Sequence, residues 1–276
     1  MRGSGVVRAA GAGRASMRMC TVDEERGTED VLFRADCDGS CQRYVVVAPK
    51  KVAPGATRDV LLVLHGHGAD RWQFVKDPRG ECRACRDVAA ERGMVLVSPD
   101  YRGDSWMGPT AEADILQIIR DLRAAFRVGR LYVAGGSMGG TAALTFTALH
   151  PEMVGGVVAM NAVANLLEFD SFPPGVEAMA RSFGGTKEKL PEEYRRRSAE
   201  LFPERFTMPL AVTTGGKDVV TPPDSVLRLA RAVSERGGMV RVFHRKTAGH
   251  STSYRDARAA VEFVIRMAEK GARRRG

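Results

Sequence analysis

From Val60 onward the chain alternates short apolar runs with longer amphipathic ones, and this rhythm restricts the fold more than any other feature. The apolar runs are Val60–Leu64, Met94–Ser98, Leu131–Ala134, Val157–Met160, Leu210–Thr213 and Val240–Phe243. Helical patterns fall between and after them, over Ala111–Phe126, Met138–Leu149, Ser225–Glu235 and Arg255–Met267. In the first of these Ile115, Ile118, Ile119 and Leu122 share one stripe. Strands that alternate with helices imply a parallel sheet covered on both faces. The run Val60–Leu64 is apolar at every position, as a central strand buried on both sides requires. Two earlier runs, Val31–Ala35 and Tyr44–Val47, flank Asp38-Gly39-Ser40, a hairpin turn signal. The expectation is an α/β domain over residues 30–268 with about eight mostly parallel strands and helices on both faces. Residues 162–208 carry no clear strand but several breakers (Pro173-Pro174, Gly184-Gly185, Pro191, Pro203), so a small helical cap insertion is expected there.

Charge bears on the choice of partner. The chain has 276 residues and a formal net charge of +9. Arg2, Arg8, Arg14 and Arg18 put +4 on residues 1–22, and residues 266–276 carry another +4, which leaves +1 for the body. Basic ends on a nearly neutral body do not make a phosphate-tracking groove, so no nucleic-acid partner is expected. Residues 1–29 read as a basic flexible extension and 269–276 as a basic tail. The acid-free start also fits an organellar transit peptide, or a true start at Met17 or Met19. It lacks the continuous apolar core of a secretory signal, and no run reaches the length of a membrane span. Cytoplasmic location and no membrane partner are the expectations.

Five cysteines need a separate reading. Cys37-x3-Cys41 and Cys82-x2-Cys85 superficially resemble two halves of a zinc site. About 40 residues separate the halves, and Cys82 and Cys85 are simple neighbours on a helix-like segment. Reduced thiols and no metal are expected, with structural zinc and a Cys37–Cys41 hairpin disulfide as the rivals.

The chemistry concentrates at Gly135-Gly136-Ser137-Met138-Gly139-Gly140. Gly135-x-Ser137-x-Gly139 lies between an expected strand and an expected helix. That context makes a sharp turn presenting an exposed serine hydroxyl. A phosphate-binding reading fails, because neither G-x-G-x-x-G with its acidic partner nor a Walker lysine is present. A serine nucleophile needs a base and an orienting acid, in the chain order Ser, Asp or Glu, His for this setting. His250 lies in a flexible turn after the last strand, whereas His244 ends that strand and is expected to pack beside it. His250 is therefore the expected base. Asp218 ends the preceding strand at the carboxyl edge of the sheet and is the expected acid. Its rival Asp224 fits a helix start, with Thr221 as N-cap and Pro222 at the first position. Oxyanion donors are expected from the backbone N–H of Met138 and, in the turn His65-Gly66-His67-Gly68, from the N–H of His67.

These segments, with Ser98-Pro99-Asp100-Tyr101-Arg102-Gly103, Gly215-Gly216-Lys217-Asp218 and Ala248-Gly249-His250, resemble the α/β-hydrolase superfamily over roughly residues 30–268. Within it the chain looks most like the esterase and prolyl oligopeptidase-like catalytic domains, similar to feruloyl and acetylxylan esterases. The resemblance implies an α/β-hydrolase fold and a serine hydrolase with no metal or organic cofactor. Peptidases of that kind carry a large N-terminal propeller, whereas about 30 residues precede the first expected strand here. The expectation is therefore hydrolysis of small carboxylic esters through an acyl-enzyme. The alternatives are a peptidase or amidase, and a non-catalytic binding protein, which the Ser, Asp, His order argues against. Trp72, Trp106 and Met107, in loops at the carboxyl edge, read equally as pocket walls or as packing, and so do Phe169, Phe172 and Phe183 of the cap. The acyl and alcohol groups of the substrate, and the choice between monomer and homodimer, stay open.

Overall fold

The apolar runs become strands because each can be covered on both sides. In the computed structural model, which describes residues 19–23, 27–49 and 56–273, nine strands form one sheet. They are β1 (Met19–Asp23), β2 (Thr28–Arg34), β3 (Cys41–Val47), β4 (Arg58–Leu64), β5 (Val95–Pro99), β6 (Val128–Gly136), β7 (Gly156–Met160), β8 (Leu210–Gly215) and β9 (Val240–Arg245). Their spatial order is β1-β2-β3-β5-β4-β6-β7-β8-β9. The first three strands and the β3–β5 pair run antiparallel, and every later pairing is parallel. The helices are α1 (Gln73–Lys76), α2 (Gly80–Glu91), α3 (Pro109–Ala125), α4 (Met138–Leu149), α5 (Pro173–Phe183), α6 (Pro191–Arg196), α7 (Asp224–Glu235) and α8 (Tyr254–Arg273). This is the α/β-hydrolase fold.

The central strand shows how sequence becomes layer. Val60, Leu62 and Leu64 of β4 enter the core shared with α3, α4 and α7, while Leu61 and Val63 enter the core shared with α2 and α8. Alternate side chains of a strand point to opposite faces, so a run buried on both faces must be apolar throughout. Burial of each such side chain contributes about 1.5–3 kcal/mol.

The N-terminal boundary differs from expectation. Residues 19–23, inside the span read as a flexible extension, pair antiparallel with β2, Met19 opposite Leu32 and Asp23 opposite Thr28. Five residues are too few to show a period, and only the pairing with β2 defines them as a strand. Residues 1–18 and 24–26 of that extension, and 274–276 of the expected tail, lie outside the described residues. α8 continues through the start of that tail to Arg273. Among the described residues no helix is long and apolar enough to cross a membrane.

Between β7 and β8 the chain makes α5, α6 and two short 3-10 turns. A buried ion network ties this segment down. The Arg197 guanidinium is fully buried and donates to Glu112 of α3 (2.8 Å), Glu193 of α6 (2.6 Å) and the Met107 carbonyl (2.5 Å). A buried guanidinium is tolerated only when its donors are satisfied in this way.

Candidate active site

At the end of β6 the backbone turns so tightly that glycine is required on both sides of Ser137. A Cβ at Gly135 would collide with the backbone of Gly139, and one at Gly139 with the carbonyl of Leu64. Ser137 itself has φ 57° and ψ −124°, a conformation that L-residues rarely hold. The turn delivers Ser137 to the N-terminus of α4, whose first N–H groups lack acceptors within the helix.

Two further loops complete the site. The Ser137 hydroxyl donates to His250 Nε2 across 2.9 Å, and His250 Nδ1 donates to Asp218 Oδ2 across 2.8 Å. A carboxylate can only accept, so this pairing leaves Nε2 free to take the serine proton. Asp218 follows β8, and His250 lies in the loop between β9 and α8. Burial pushes the Asp218 carboxyl up, but hydrogen bonds from His250, from the Thr221 N–H and from Asn161 outweigh it and hold the pKa at about 2. The arrangement can deprotonate a hydroxyl at Ser137 and keep the resulting imidazolium beside a fixed negative charge.

The turn after β4 lies opposite. Gly66 N–H donates to Gln73 Oε1 (2.8 Å) and Gly68 N–H to Asp104 Oδ1 (2.6 Å). Neither the His67 N–H, between these two fixed points, nor the Met138 N–H of α4 has an acceptor among the described residues. The turn closes on Ser137: a Cβ built on Gly66 would stand 3.8 Å from that of Ser137. Ser137, His250, His67 and Asn161 line a cavity of about 370 Å³ with Phe74 and Phe172.

The other readings separate cleanly. His244 sits within β9, its Nδ1 2.9 Å from Thr214 Oγ1, away from the relay. Thr221 is not a helix cap. α7 starts at Asp224 with Pro223 at the cap and no side-chain capping bond. The Thr221 hydroxyl lies instead within 2.8 Å of the Asn161 carbonyl and 3.0 Å of Asp218 Oδ2. Asn161 and Thr221 are the site residues that the sequence reading missed. A polar residue directly after the apolar run Val157–Met160, at the carboxyl edge, was the available signal for Asn161.

The pocket assignments need correction. Trp106 and Met107 do not line the cavity; both are fully buried. Their backbones take φ 50° and 62°, which turns the side chains inward beneath the cap. The Trp106 ring packs on Phe169 at 5.3 Å, in space left by Gly175 of α5. Trp72 also stands off the cavity, at the start of α1, with Lys76 Nζ 3.7 Å above its ring. Phe172 does line the cavity and meets the His67 ring edge-on at 5.1 Å, whereas Phe169 and Phe183 pack into the core. Trp106→Ala is therefore expected to lower unfolding free energy by about 3–5 kcal/mol in denaturant titration, with KM little changed. A large KM change at unaltered stability would return Trp106 to the pocket.

Cys37, Cys41, Cys82 and Cys85 are free thiols. Burial raises Cys82 to about 12, against thiolate formation. Among the described residues no three His, Cys, Asp or Glu side chains are grouped to hold a metal ion.

Comparison with known proteins places the site in context. The sequence profile of the prolyl oligopeptidase family matches residues 83–269. No curated protein sequence matches the chain. Among solved structures, a puromycin hydrolase superposes with TM-score 0.68 at 20% identity, over 89% of this chain and 39% of that one. Pyrococcus horikoshii acylaminoacyl peptidase gives 0.63 at 18% identity, over 88% and 41%. A ferulic acid esterase gives 0.66 at 19% identity, over 87% of this chain and 98% of that one. The chain thus spans about two fifths of the first two structures and nearly all of the third.

Proposed function

The chain belongs to the prolyl oligopeptidase family, and from that premise we propose that it is a serine hydrolase cleaving small carboxylic esters through a Ser137–His250–Asp218 triad. The observation that carries this reading is the hydrogen-bonded relay from Ser137 through His250 to Asp218, at 2.9 and 2.8 Å. In the proposed cycle His250 Nε2 takes the Ser137 proton as Oγ attacks the carbonyl carbon. The N–H groups of Met138 and His67 hold the oxyanion of the tetrahedral intermediate. His250 then gives the proton to the leaving alcohol, and water, activated by the same imidazole, releases the acid from the acyl-enzyme. Asp218 keeps Nδ1 protonated and stabilises the imidazolium throughout. No step requires a metal or an organic cofactor. The cytoplasm is the proposed location, in keeping with the exposed free thiols Cys37 and Cys41.

Two features support esters over peptides. The cavity measures about 370 Å³, and Phe172 shares its wall with Ser137, which suits a compact acyl or aryl group. The ferulic acid esterase is also matched along nearly its whole length. The family itself favours the second reading, a peptidase or amidase on the same triad. A panel of p-nitrophenyl esters of increasing acyl length, aryl esters and dipeptide anilides separates the two. Short-chain or aryl esters are expected to exceed every anilide in kcat/KM by about 10⁴-fold or more, beyond the roughly 10–200-fold that one pocket contact supplies. Anilides matching the best ester would replace the ester reading with the peptidase one and keep the triad.

A further inference from the structure

One carboxamide brackets the base. Asn161, the first residue after β7, is buried and holds φ 46°, a left-handed conformation that carries strain for any side chain. Its backbone N–H donates to the Thr213 carbonyl of β8 (2.8 Å), and its own carbonyl accepts from the Thr221 hydroxyl. Its side chain then reaches three partners at once. Nδ2 donates to Asp218 Oδ2 (3.1 Å) and to the Gly249 carbonyl (3.4 Å), while Oδ1 accepts from Thr252 Oγ1 (2.5 Å). Gly249 and Thr252 flank His250 on its two sides. One amide group thus contacts both flanks of His250 and the carboxylate that orients its ring. Both hydrogens of that amide and one acceptor site of its oxygen have partners, a set that needs a donor and an acceptor on one short planar group.

We infer that Asn161 is the positioning residue that sets the His250 loop against Asp218, and so fixes the imidazole in line between the carboxylate and Ser137. This rests on the hydrolase reading of the site. Asn161 acts through His250 and Asp218 and exchanges no proton itself. The strain at φ 46° is maintained because the neighbouring strand and loop contacts over-determine it, which is the usual condition of strained residues at working sites.

Two substitutions test it without depending on one fold. Asn161→Gly keeps the left-handed backbone at no steric cost and removes the amide. Asn161→Asp keeps size and shape but replaces the Nδ2 donor with an acceptor facing Asp218 and the Gly249 carbonyl. If Asn161 were only structural, glycine would relieve its strain and leave kcat at the wild-type value. The positioning role predicts the opposite: kcat lower by about 10–10² fold in Asn161→Gly with KM within about threefold, since small misplacements of a catalytic group cost that much. Asn161→Asp is expected to fall further than Asn161→Gly, with thermal unfolding of both still cooperative. A second readout needs no turnover. The proton on His250 Nδ1, bridged to Asp218, gives a downfield NMR resonance that should be sharp in the wild type and broadened or lost in both variants. Wild-type kcat and an unchanged resonance in Asn161→Gly would overturn the inference. So would activity losses that follow only the fraction of unfolded protein. Should the wild type cleave neither esters nor anilides, the hydrolase reading fails while the resonance still decides the role of Asn161.

Discussion

Replacing Ser137 with alanine is expected to lower kcat by roughly 10⁶-fold while leaving the fold intact. The hydroxyl makes one hydrogen bond, to His250, and alanine meets the same backbone demand at φ 57° that serine already meets. Removing the hydroxyl therefore removes the proposed nucleophile and little else. The residual rate should still exceed the uncatalysed one, because the N–H groups of Met138 and His67 remain in place to bind an oxyanion. A fluorophosphonate probe should label the wild type at Ser137 alone and leave the variant unmodified, as read by mass spectrometry of peptides. Labelling at another serine, or hydrolysis retained in the variant, would dismiss the triad.

Asp218→Asn is expected to cost on the order of 10⁴-fold in kcat, because it inverts the hydrogen-bond logic around His250. Asp218 Oδ1 accepts from the N–H groups of Val220 and Thr221, and Oδ2 accepts from His250 and Asn161. An asparagine has one acceptor oxygen, which the two backbone donors claim. Its NH2 then faces His250 Nδ1 and forces the proton to Nε2, where it blocks removal of the serine proton. The same carboxylate gives a stability signature with a definite sign. Its folded pKa, about 2, lies below the unfolded value near 3.9, so its contribution is complete above about pH 4 and is lost as pH falls toward 2. Acid unfolding of the wild type should show this loss in that window, and Asp218→Asn should lack it. Asp224→Asn, at the start of α7 with no capping bond to lose, should leave turnover unchanged. The reverse result would exchange the roles of the two acids.

The parts of this molecule legible from sequence are those in which backbone demand writes residue identity directly. Gly135 and Gly139 are fixed by a crossing that admits no Cβ, and the fully apolar Val60–Leu64 by a strand covered on both faces. The order Ser137, Asp218, His250 follows once that turn is recognised. What escaped depends on long-range geometry. Thr221-Pro222-Pro223-Asp224 has the local chemistry of a helix start, yet the Thr221 hydroxyl is claimed by Asp218 and Asn161, contacts that local pattern cannot encode. Trp106 and Met107 read equally as pocket walls or as packing, because their left-handed backbones leave no mark on composition. β1 becomes a strand only through the edge that β2 offers.

The relay also fixes when in its own synthesis this chain can act. Ser137 and His250 are 113 residues apart, and the base sits just ahead of α8, the last element described. A nascent chain emerging from the ribosome acquires its strained Ser137 first, then Asp218, and His250 after both. Until α8 docks against β7, β8 and α2, the segment that follows the His250 loop has no support from the sheet. A polypeptide cut short before residue 250 lacks the base of the proposed relay and leaves the Ser137 hydroxyl without its acceptor.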